Sequence, residues 1–203
     1  TIGVFGQIEI DRLKGMSDLE LACESPSFVS SAHLKAQNFN VAPEQAGPFA
    51  HAIVFLPRAK AEAQHLIAKA VSLAPNGWII VDGQKTDGIE SIAKQIGRIV
   101  PNLASYSKGH GKTIWYRAEG AKELEKWRCK PRQIANGFQT APGVFSADGV
   151  DPASAMLMEH LPHELKGEAV DLGAGWGFLS EGLLARAPAI SQLHLIEDNA
   201  VAL

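Results

Sequence analysis

A turn rich in glycine lies near the C-terminal end of the sequence, between an apolar run and a segment with helical periodicity. Its residues are Asp171, Leu172, Gly173, Ala174, Gly175, Trp176 and Gly177. Glycine permits a sharp bend and the close approach of a ligand, and the next helix offers unpaired N–H groups. A dinucleotide site has the pattern G-x-G-x-x-G, whose third glycine would stand at Phe178. The spacing therefore indicates a nucleotide-type site other than a dinucleotide site.

Glu197 is the second residue suited to such a site, because it follows the next predicted strand. A carboxylate at that strand end can accept hydrogen bonds from both ribose hydroxyls of an adenosine group. Asp198 would point to the other side of the strand, so Glu197 is the predicted ligand. The glycine turn alone would suit any α/β protein, whereas strand, helix and acid together favour cofactor binding.

The run from Asp171 to Gly177 resembles motif I of the class I methyltransferases that use S-adenosyl-L-methionine (SAM). The resemblance implies that SAM is the cofactor and that Asp171 lies near its methionyl end. It also implies that Gly173, Gly175 and Gly177 make room for the cofactor. In such enzymes the cofactor carries the reactive group, and the protein supplies position and electrostatics.

Residues 138–146, followed by Gly149-Val150-Asp151, resemble the segment before motif I in small-domain methyltransferases of the RsmC/RlmG type. That family modifies guanine N2 in ribosomal RNA. The resemblance implies that Phe145 and Asp151 lie beside the SAM pocket, although Asp151 before a proline is also a good helix N-cap. The family's catalytic Asn-Pro-Pro-aromatic motif lies well after motif I. Catalytic residues are therefore expected beyond Leu203, and the chain is expected to be a fragment, or the ordered part, of a longer protein.

In the part of the chain before residue 119, apolar runs that end at turn residues alternate with segments of helical periodicity. They predict strands at 51–56, 78–81, 103–106 and 113–116, and less clear strands at 19–23 and 29–34. Asp87 is a predicted cap for the helix that follows the second of these runs. The alternation predicts an α/β fold with a mostly parallel sheet. With the resemblance, it indicates Rossmann-like methyltransferase folds, a degenerate N-terminal copy followed by the first part of a catalytic copy.

Three segments follow from this pattern: a degenerate domain at 1–118, a basic connector at 119–137, and an incomplete SAM-binding domain at 138–203. Residues 54–57 stand where an active copy would keep its catalytic motif, but the asparagine and second proline are missing. Ribosomal RNA or the small ribosomal subunit is the implied partner. Candidate phosphate contacts are Lys108, Lys112, Arg128, Lys130 and Arg132. A mobile charged loop and a solvated linker explain these cations equally well.

Composition narrows the remaining classes of function. The net charge of -3 argues against a globally basic nucleic-acid binder but leaves local patches possible. Cys23 and Cys129 have no metal-ligand spacing, no histidine cluster suggests a metal, and no apolar run predicts a membrane span. We therefore expect a cytoplasmic SAM-dependent methyltransferase of 16S ribosomal RNA. The alternatives are a methyltransferase for a protein or small molecule, and a non-catalytic RNA-binding scaffold with a vestigial pocket.

Overall fold

The computed structural model describes residues 1–134 and 137–202, and its contacts divide the chain into two compact units. The first unit is Thr1–Cys129 and the second is Lys130–Leu203. Residues 135 and 136 of the predicted connector, and residue 203 of the predicted SAM-binding domain, lie outside the described residues.

A sheet of seven strands organises the first unit. The strands are β1 (Ile2–Gly6), β2 (Leu21–Glu24), β3 (Asn40–Ala42), β4 (His51–Phe55), β5 (Trp78–Gln84), β6 (Ala104–Lys108) and β7 (Gly111–Arg117). Their order is β3-β2-β1-β4-β5-β7-β6, with β7 antiparallel to both of its neighbours and the other pairs parallel. The strand order reverses between β1 and β4, as in doubly wound folds. The predicted α/β class is confirmed, and the predicted strands at 103–106 and 113–116 form an antiparallel hairpin at the edge of the sheet.

Helices cover much of both faces of this sheet. They are α1 (Ile10–Leu13), α2 (Phe28–Ala36), α3 (Lys60–Leu73) and α4 (Ile89–Gly97), with shorter 3-10 turns at Lys14–Met16 and Lys85–Asp87 and a longer 3-10 segment at Ala118–Trp127. The prediction of a strand at 29–34 was wrong, because these residues lie within α2. Ser27 begins that helix by accepting a hydrogen bond from the Ser30 backbone N–H at 3.1 Å.

The prediction that Asp87 caps the next helix was also wrong. The helix α4 begins after Gly88, which has a left-handed backbone and no side-chain cap. Asp87 instead ends the short 3-10 turn, where its carboxylate accepts the Gln84 N–H at 2.9 Å. The capping-box chemistry is therefore present but one element earlier in the chain.

Alternation along the strands divides the apolar side chains between two cores. Phe5, Val54, Ile79, Val81 and Ile114 face α3, α4 and the long 3-10 segment. On the other face, Val4, Cys23, Ile53 and Phe55 pack with Leu13 and Leu34 from α1 and α2. A fully buried leucine or isoleucine contributes roughly 1.5–3 kcal/mol to folding, so both cores hold the sheet strongly. Both cysteines are free, and burial raises the pKa of the Cys23 thiol to about 11.

The first compact unit extends to Cys129, whereas the sequence-based division places its end at residue 118. The difference comes from the 3-10 segment, whose buried residues are Ala118, Ala121 and Leu124. Their spacing of three matches the period of a 3-10 helix, so they form one stripe against the first core. The sequence pattern did not indicate this apolar stripe, because it is short and lies among charged residues.

The second unit contains a single parallel β-α-β crossover preceded by a helix, as predicted. Its elements are β8 (Arg132–Gln133), β9 (Gln139–Thr140), α5 (Pro152–His160), β10 (Lys166–Leu172), α6 (Phe178–Arg186) and β11 (Ala189–Ile196). β10 pairs in parallel with β11, and β8 pairs antiparallel with β9. Large apolar side chains such as Val170, Leu172 and Ile196 remain exposed on this two-stranded sheet.

Candidate functional site

The glycine turn joins β10 to α6 and requires glycine at three positions. The φ angles are +79° at Gly173, +54° at Gly175 and +92° at Gly177, a region that side chains with a Cβ rarely adopt. A Cβ added at Gly173 or Gly175 would meet no heavy atom within 4 Å. The turn therefore borders open space, in which a ligand could approach the backbone closely.

The end of β11 fixes this turn through the backbone. The carbonyl oxygen of Ile196 accepts hydrogen bonds from the N–H groups of Gly173 and Ala174, at 2.8 and 3.1 Å. The Gly177 N–H donates to the Ala174 carbonyl at 2.9 Å and closes the turn before α6 begins. The turn is thus held in shape by hydrogen bonds within its own unit.

Glu197 lies directly beside the glycine turn, so the structure brings the two predicted elements together. The Glu197 Oε2 accepts the Gly175 N–H at 2.7 Å, and its Oε1 accepts the Asn199 N–H at 2.9 Å. A carboxylate has about four acceptor positions, so these two bonds leave capacity for hydroxyl donors. The sequence did not single out Asn199, whose side chain also donates to the Gly143 carbonyl at 3.3 Å.

Asp171 lies near the end of β10 and is half-buried. Its Oδ2 accepts a hydrogen bond from the Ser180 hydroxyl at 2.7 Å. Ser180 is buried on α6, and the sequence analysis missed it. The bond holds the Asp171 carboxylate in one orientation beside the turn, and it links β10 to the helix that follows the glycines.

Asp151 and Phe145 are placed differently by the structure. Asp151 caps α5, because its Oδ2 accepts the Ser154 N–H at 2.8 Å and the Ser154 hydroxyl at 3.2 Å. Phe145 is mostly exposed in the loop before that helix. The N-cap prediction for Asp151 is confirmed, while a contact of either residue with SAM stays a prediction.

A cavity of about 430 Å³ lies on the α6 side of the β10–β11 pair. Gly175, Trp176 and Gly177 contribute to its wall, together with Leu184 of α6 and Leu193 of β11. Asp171 and Glu197 do not line it. The cavity therefore adjoins the glycine turn, and its wall includes Gly175 and Ser180, the hydrogen-bond donors to Glu197 and Asp171.

The predicted phosphate-binding cations do not form one surface. A tight turn through Gly109 and His110 separates Lys108 from Lys112. Lys108 pairs with Gly111 across the hairpin, whereas Lys112 pairs with Ser107, so the two side chains leave the sheet in opposite directions. Lys112 forms an ion pair with Glu90 of α4. The charged loop between these two strands is therefore a hairpin turn whose two lysines lie on opposite faces of the sheet.

The other three cations lie near the junction of the two units in sequence. Arg128 ends the long 3-10 segment, and Lys130 is exposed. Arg132 pairs with Asp148 at 2.7 Å, with both side chains exposed. Contacts of these residues with RNA stay predictions. Among the described residues, no group of histidine, cysteine and acidic side chains could hold a metal ion, and no helix has the length and apolarity to span a membrane.

Two family models match the chain in succession. Residues 24–127 match the methyltransferase small domain N-terminal model, and residues 135–203 match the methyltransferase small domain model. The first match alone covers more than half of the chain. The chain belongs to the small-domain methyltransferase family. The glycine turn, Asp171 and Glu197 all lie within the second match.

Curated members of the family are similar over most of this chain. The ribosomal RNA small subunit methyltransferase C of Pseudomonas paraeruginosa is 30% identical over 176 residues, which cover 77% of this chain and 49% of that protein. The protein of the same name from Stutzerimonas stutzeri is 33% identical over 172 residues, with coverages of 81% and 51%. The chain thus spans about half the length of these relatives.

A solved structure has the same fold. It is the T. thermophilus 16S rRNA N2 G1207 methyltransferase (RsmC) in complex with AdoMet and guanosine. The TM-score is 0.74 at 23% identity, and the alignment covers 99% of this chain and 59% of the solved chain. The likeness supports a Rossmann-like methyltransferase fold for this member of the family.

Proposed function

We propose that the protein takes part in SAM-dependent methyl transfer to the exocyclic N2 of guanine in 16S ribosomal RNA. The observation that carries the proposal is the open glycine turn with Glu197 hydrogen-bonded to it. Its open space at Gly173 and Gly175 suits a cofactor that must lie against the backbone. Membership of the small-domain methyltransferase family and the names of its curated relatives support the choice of reaction and substrate.

The residues of this unit fit such a cofactor in type and position. We assign Glu197 to the ribose hydroxyls, because its carboxylate stands at the end of β11 and retains acceptor capacity. We assign Asp171 to the methionyl end, with Ser180 holding its carboxylate in place. When bound, SAM supplies an activated methyl group, and the protein's task is to position that group and to exclude competing reactions.

Because the proposed substrate is ribosomal RNA, we propose that the protein acts in the cytoplasm. It also requires the target guanine to be accessible to the cofactor pocket. A base within folded RNA has to be splayed from its neighbours before an enzyme can modify it. We therefore expect RNA-binding surfaces in addition to the cofactor turn.

Calorimetric titration of SAM into the chain tests the cofactor assignment. Glu197→Gln is expected to weaken SAM binding about 10- to 100-fold, because a hydrogen bond to a charged group contributes about 1.5–3 kcal/mol. Glu164→Gln, at an exposed position of the same unit, is the matched control and should bind as the parent chain does. Absence of SAM binding by the parent chain would contradict the proposal.

Asp151→Asn separates the two roles considered for Asp151. Asparagine is as good an N-cap as aspartate, so the stability of α5 should be preserved. A loss of SAM affinity without a loss of stability would assign the carboxylate to the cofactor. Unchanged affinity would restrict Asp151 to its role as a cap.

Substrate identity needs a separate measurement. Small ribosomal subunits that lack the modification are incubated with the complete protein, including the expected catalytic motif, and methyl-labelled SAM, and the nucleosides are then analysed. The expected product is N2-methylguanosine. Label in another nucleoside, or in ribosomal protein, would contradict the substrate assignment while leaving the cofactor assignment intact.

A further inference from the structure

One face of the first unit's sheet is covered over only half of its width. α1 and α2 pack over β1, β2 and β4 on this face, as the buried Leu13 and Leu34 show. Over β5, β7 and β6, the same face carries exposed or half-buried side chains. At its inner border, Ile80 packs against the second core and Asp82 contacts Arg12 of α1. We call this region the open sheet face, and it consists of residues 78, 80 and 82 of β5, 113, 115 and 117 of β7, and 104, 106 and 108 of β6.

Three aromatic side chains cross the open sheet face on a diagonal. Trp78 pairs directly with Arg117, two residues along β7 from Trp115, and Trp115 pairs with Ala104, two residues along β6 from Tyr106. Diagonal neighbours on adjacent strands lie about 7–8 Å apart. The rings of Trp78, Trp115 and Tyr106 therefore form a staircase, with one ring on each of three adjacent strands.

These rings are available to solvent. Trp78 is 41% exposed and Tyr106 is 61% exposed, while Trp115 between them is half-buried. The opposite face of these strands is packed by Ile79 and Ile114, so the three rings project from the other side of the sheet. A ligand with flat, apolar faces would suit the spacing of the rings.

The charge on the open sheet face favours an anionic ligand. The guanidinium of Arg117 lies 5.2 Å from the centre of the Trp78 ring, and Lys108 is exposed beyond Tyr106. Asp82 is the one acidic residue in the sequence of these three strands. Its carboxylate accepts hydrogen bonds from Arg12, at 3.2 Å, and from Thr113, which offsets its charge.

We infer that the open sheet face binds single-stranded RNA, with bases stacked on the aromatic staircase and phosphates near Arg117 and Lys108. Stacking on exposed aromatic rings and on guanidinium planes is how sheet surfaces recognise unpaired nucleotides. Duplex RNA keeps its bases stacked on one another and would not engage the rings. The choice of RNA rests on the proposed function, because the proposed substrate is RNA, whereas the binding surface lies outside the cofactor site.

Fluorescence anisotropy with a labelled single-stranded oligouridylate, and with duplex RNA for comparison, tests this inference on the full chain. Trp78→Ala/Tyr106→Ala is expected to weaken binding of the single strand at least about tenfold, given the contribution of a stacked base. Trp78→Phe/Tyr106→Phe keeps the rings and should keep most of the affinity. Phe28→Ala, at an exposed ring of α2, is the matched control and should bind normally.

The cations have their own readout. Arg117→Gln/Lys108→Gln should reduce the slope of log affinity against log salt by about 0.7 for each lost phosphate contact with a single strand. Lys122→Gln/Lys126→Gln, at exposed positions of the 3-10 segment, should leave the slope unchanged if binding is confined to the open sheet face.

Several results would overturn the inference. The first is unchanged RNA affinity in the alanine double variant, with native folding shown by circular dichroism. The second is an equal loss in the Phe28→Ala control. The third is a double variant whose RNA affinity is unchanged but whose mass in sedimentation differs from that of the parent chain. That result would make this face a contact between protein chains. SAM binding is measured separately. A parent chain that binds RNA but not SAM would contradict the cofactor proposal and leave this inference standing.

Discussion

The two units contain the same local arrangement, a parallel β-α-β crossover with an acidic residue at the end of the second strand. In the first unit the crossover is β1-α1-β2 and the acid is Glu24, whereas in the second it is β10-α6-β11 and the acid is Glu197. The surroundings of the two acids differ sharply, and this difference indicates which copy can accept a ligand.

Glu24 is buried and satisfied by its own unit. Lys69 Nζ lies 2.8 Å from its carboxylate, and the Gln45 N–H donates to the same group at 2.7 Å. Glu197 instead receives backbone N–H groups, one of them from the glycine turn itself. An acid that is neutralised by a buried lysine is unsuited to bind ribose hydroxyls, whereas an acid beside an open turn is well suited.

The turns that follow β1 and β10 also differ in how much open space they border. A Cβ at Gly6 would lie 1.9 Å from the carbonyl oxygen of Phe55, because β1 and β4 are packed closely there. Phe55 and Leu56, in the segment where an active copy would keep its catalytic motif, are buried core residues. By contrast, Gly173 and Gly175 face open space. The turn at Gly6 therefore lies against the packed strands of its own unit, whereas the turn at Gly173 and Gly175 borders open space.

The largest expected effect follows from Lys69→Met. The substitution leaves the buried Glu24 carboxylate without its cation, which should lower the free energy of unfolding by about 3–5 kcal/mol. The exposed Glu44, which also pairs with Lys69 at 3.0 Å, adds little. Urea denaturation measures the loss, and hydrogen exchange should locate it in the first unit.

Two controls make that experiment decisive. Glu24→Gln/Lys69→Met removes both charges and should recover much of the lost stability. Lys126→Met removes an exposed cation of the same unit, and its cost should stay within about 0.5 kcal/mol. Equal losses in Lys69→Met and Lys126→Met would show that the ion pair does not stabilise the first unit.

A paired glycine substitution tests the difference between the turns. Gly6→Ala combines a left-handed backbone with a close contact to β4, so we expect a loss of about 2–4 kcal/mol from strain and overpacking together. Gly175→Ala has backbone strain alone and should lose about 1–2 kcal/mol. Denaturation midpoints give the comparison, and similar losses at both positions would contradict the distinction between a filled and an open turn.

The sequence predicted the features that depend on local patterns. The strands around 51–56 and 78–81, the helix between them and the β-α-β unit around the glycine turn all follow from periodicity and turn chemistry. The proximity of Glu197 to the turn also follows, because parallel strands end at the same edge of a sheet.

Features that depend on distant contacts could not be predicted in this way. Lys69 meets Glu24 across 45 positions, and no local pattern indicates such a pair. Ser180 is an ordinary helix residue by sequence, and only the fold turns its hydroxyl toward Asp171. The strand assigned to 29–34 failed because β-branched and apolar residues there lie on a helix that Ser27 caps.

The smallest expected effect concerns His65 of α3, which lies within electrostatic range of Lys69 and Arg128 in the first unit. Its Nδ1 accepts the Cys129 N–H at 3.1 Å, and its pKa lies below the ordinary value of 6.5 because of burial, with nearby Arg128 and Lys69 adding to the shift. A lowered pKa means that the unfolded chain binds the proton more readily. Stability present above about pH 6.5 should therefore be lost as the pH falls toward the lower folded-state pKa.

His65→Gln should reduce this pH dependence, since glutamine does not titrate. Urea denaturation at neutral and mildly acidic pH measures it, with His33→Gln, at an exposed position of α2, as the control. An identical pH slope in the parent chain and His65→Gln would show that the histidine contributes nothing. A reduced slope would mean that burial of His65 contributes to the pH dependence of the first unit's stability.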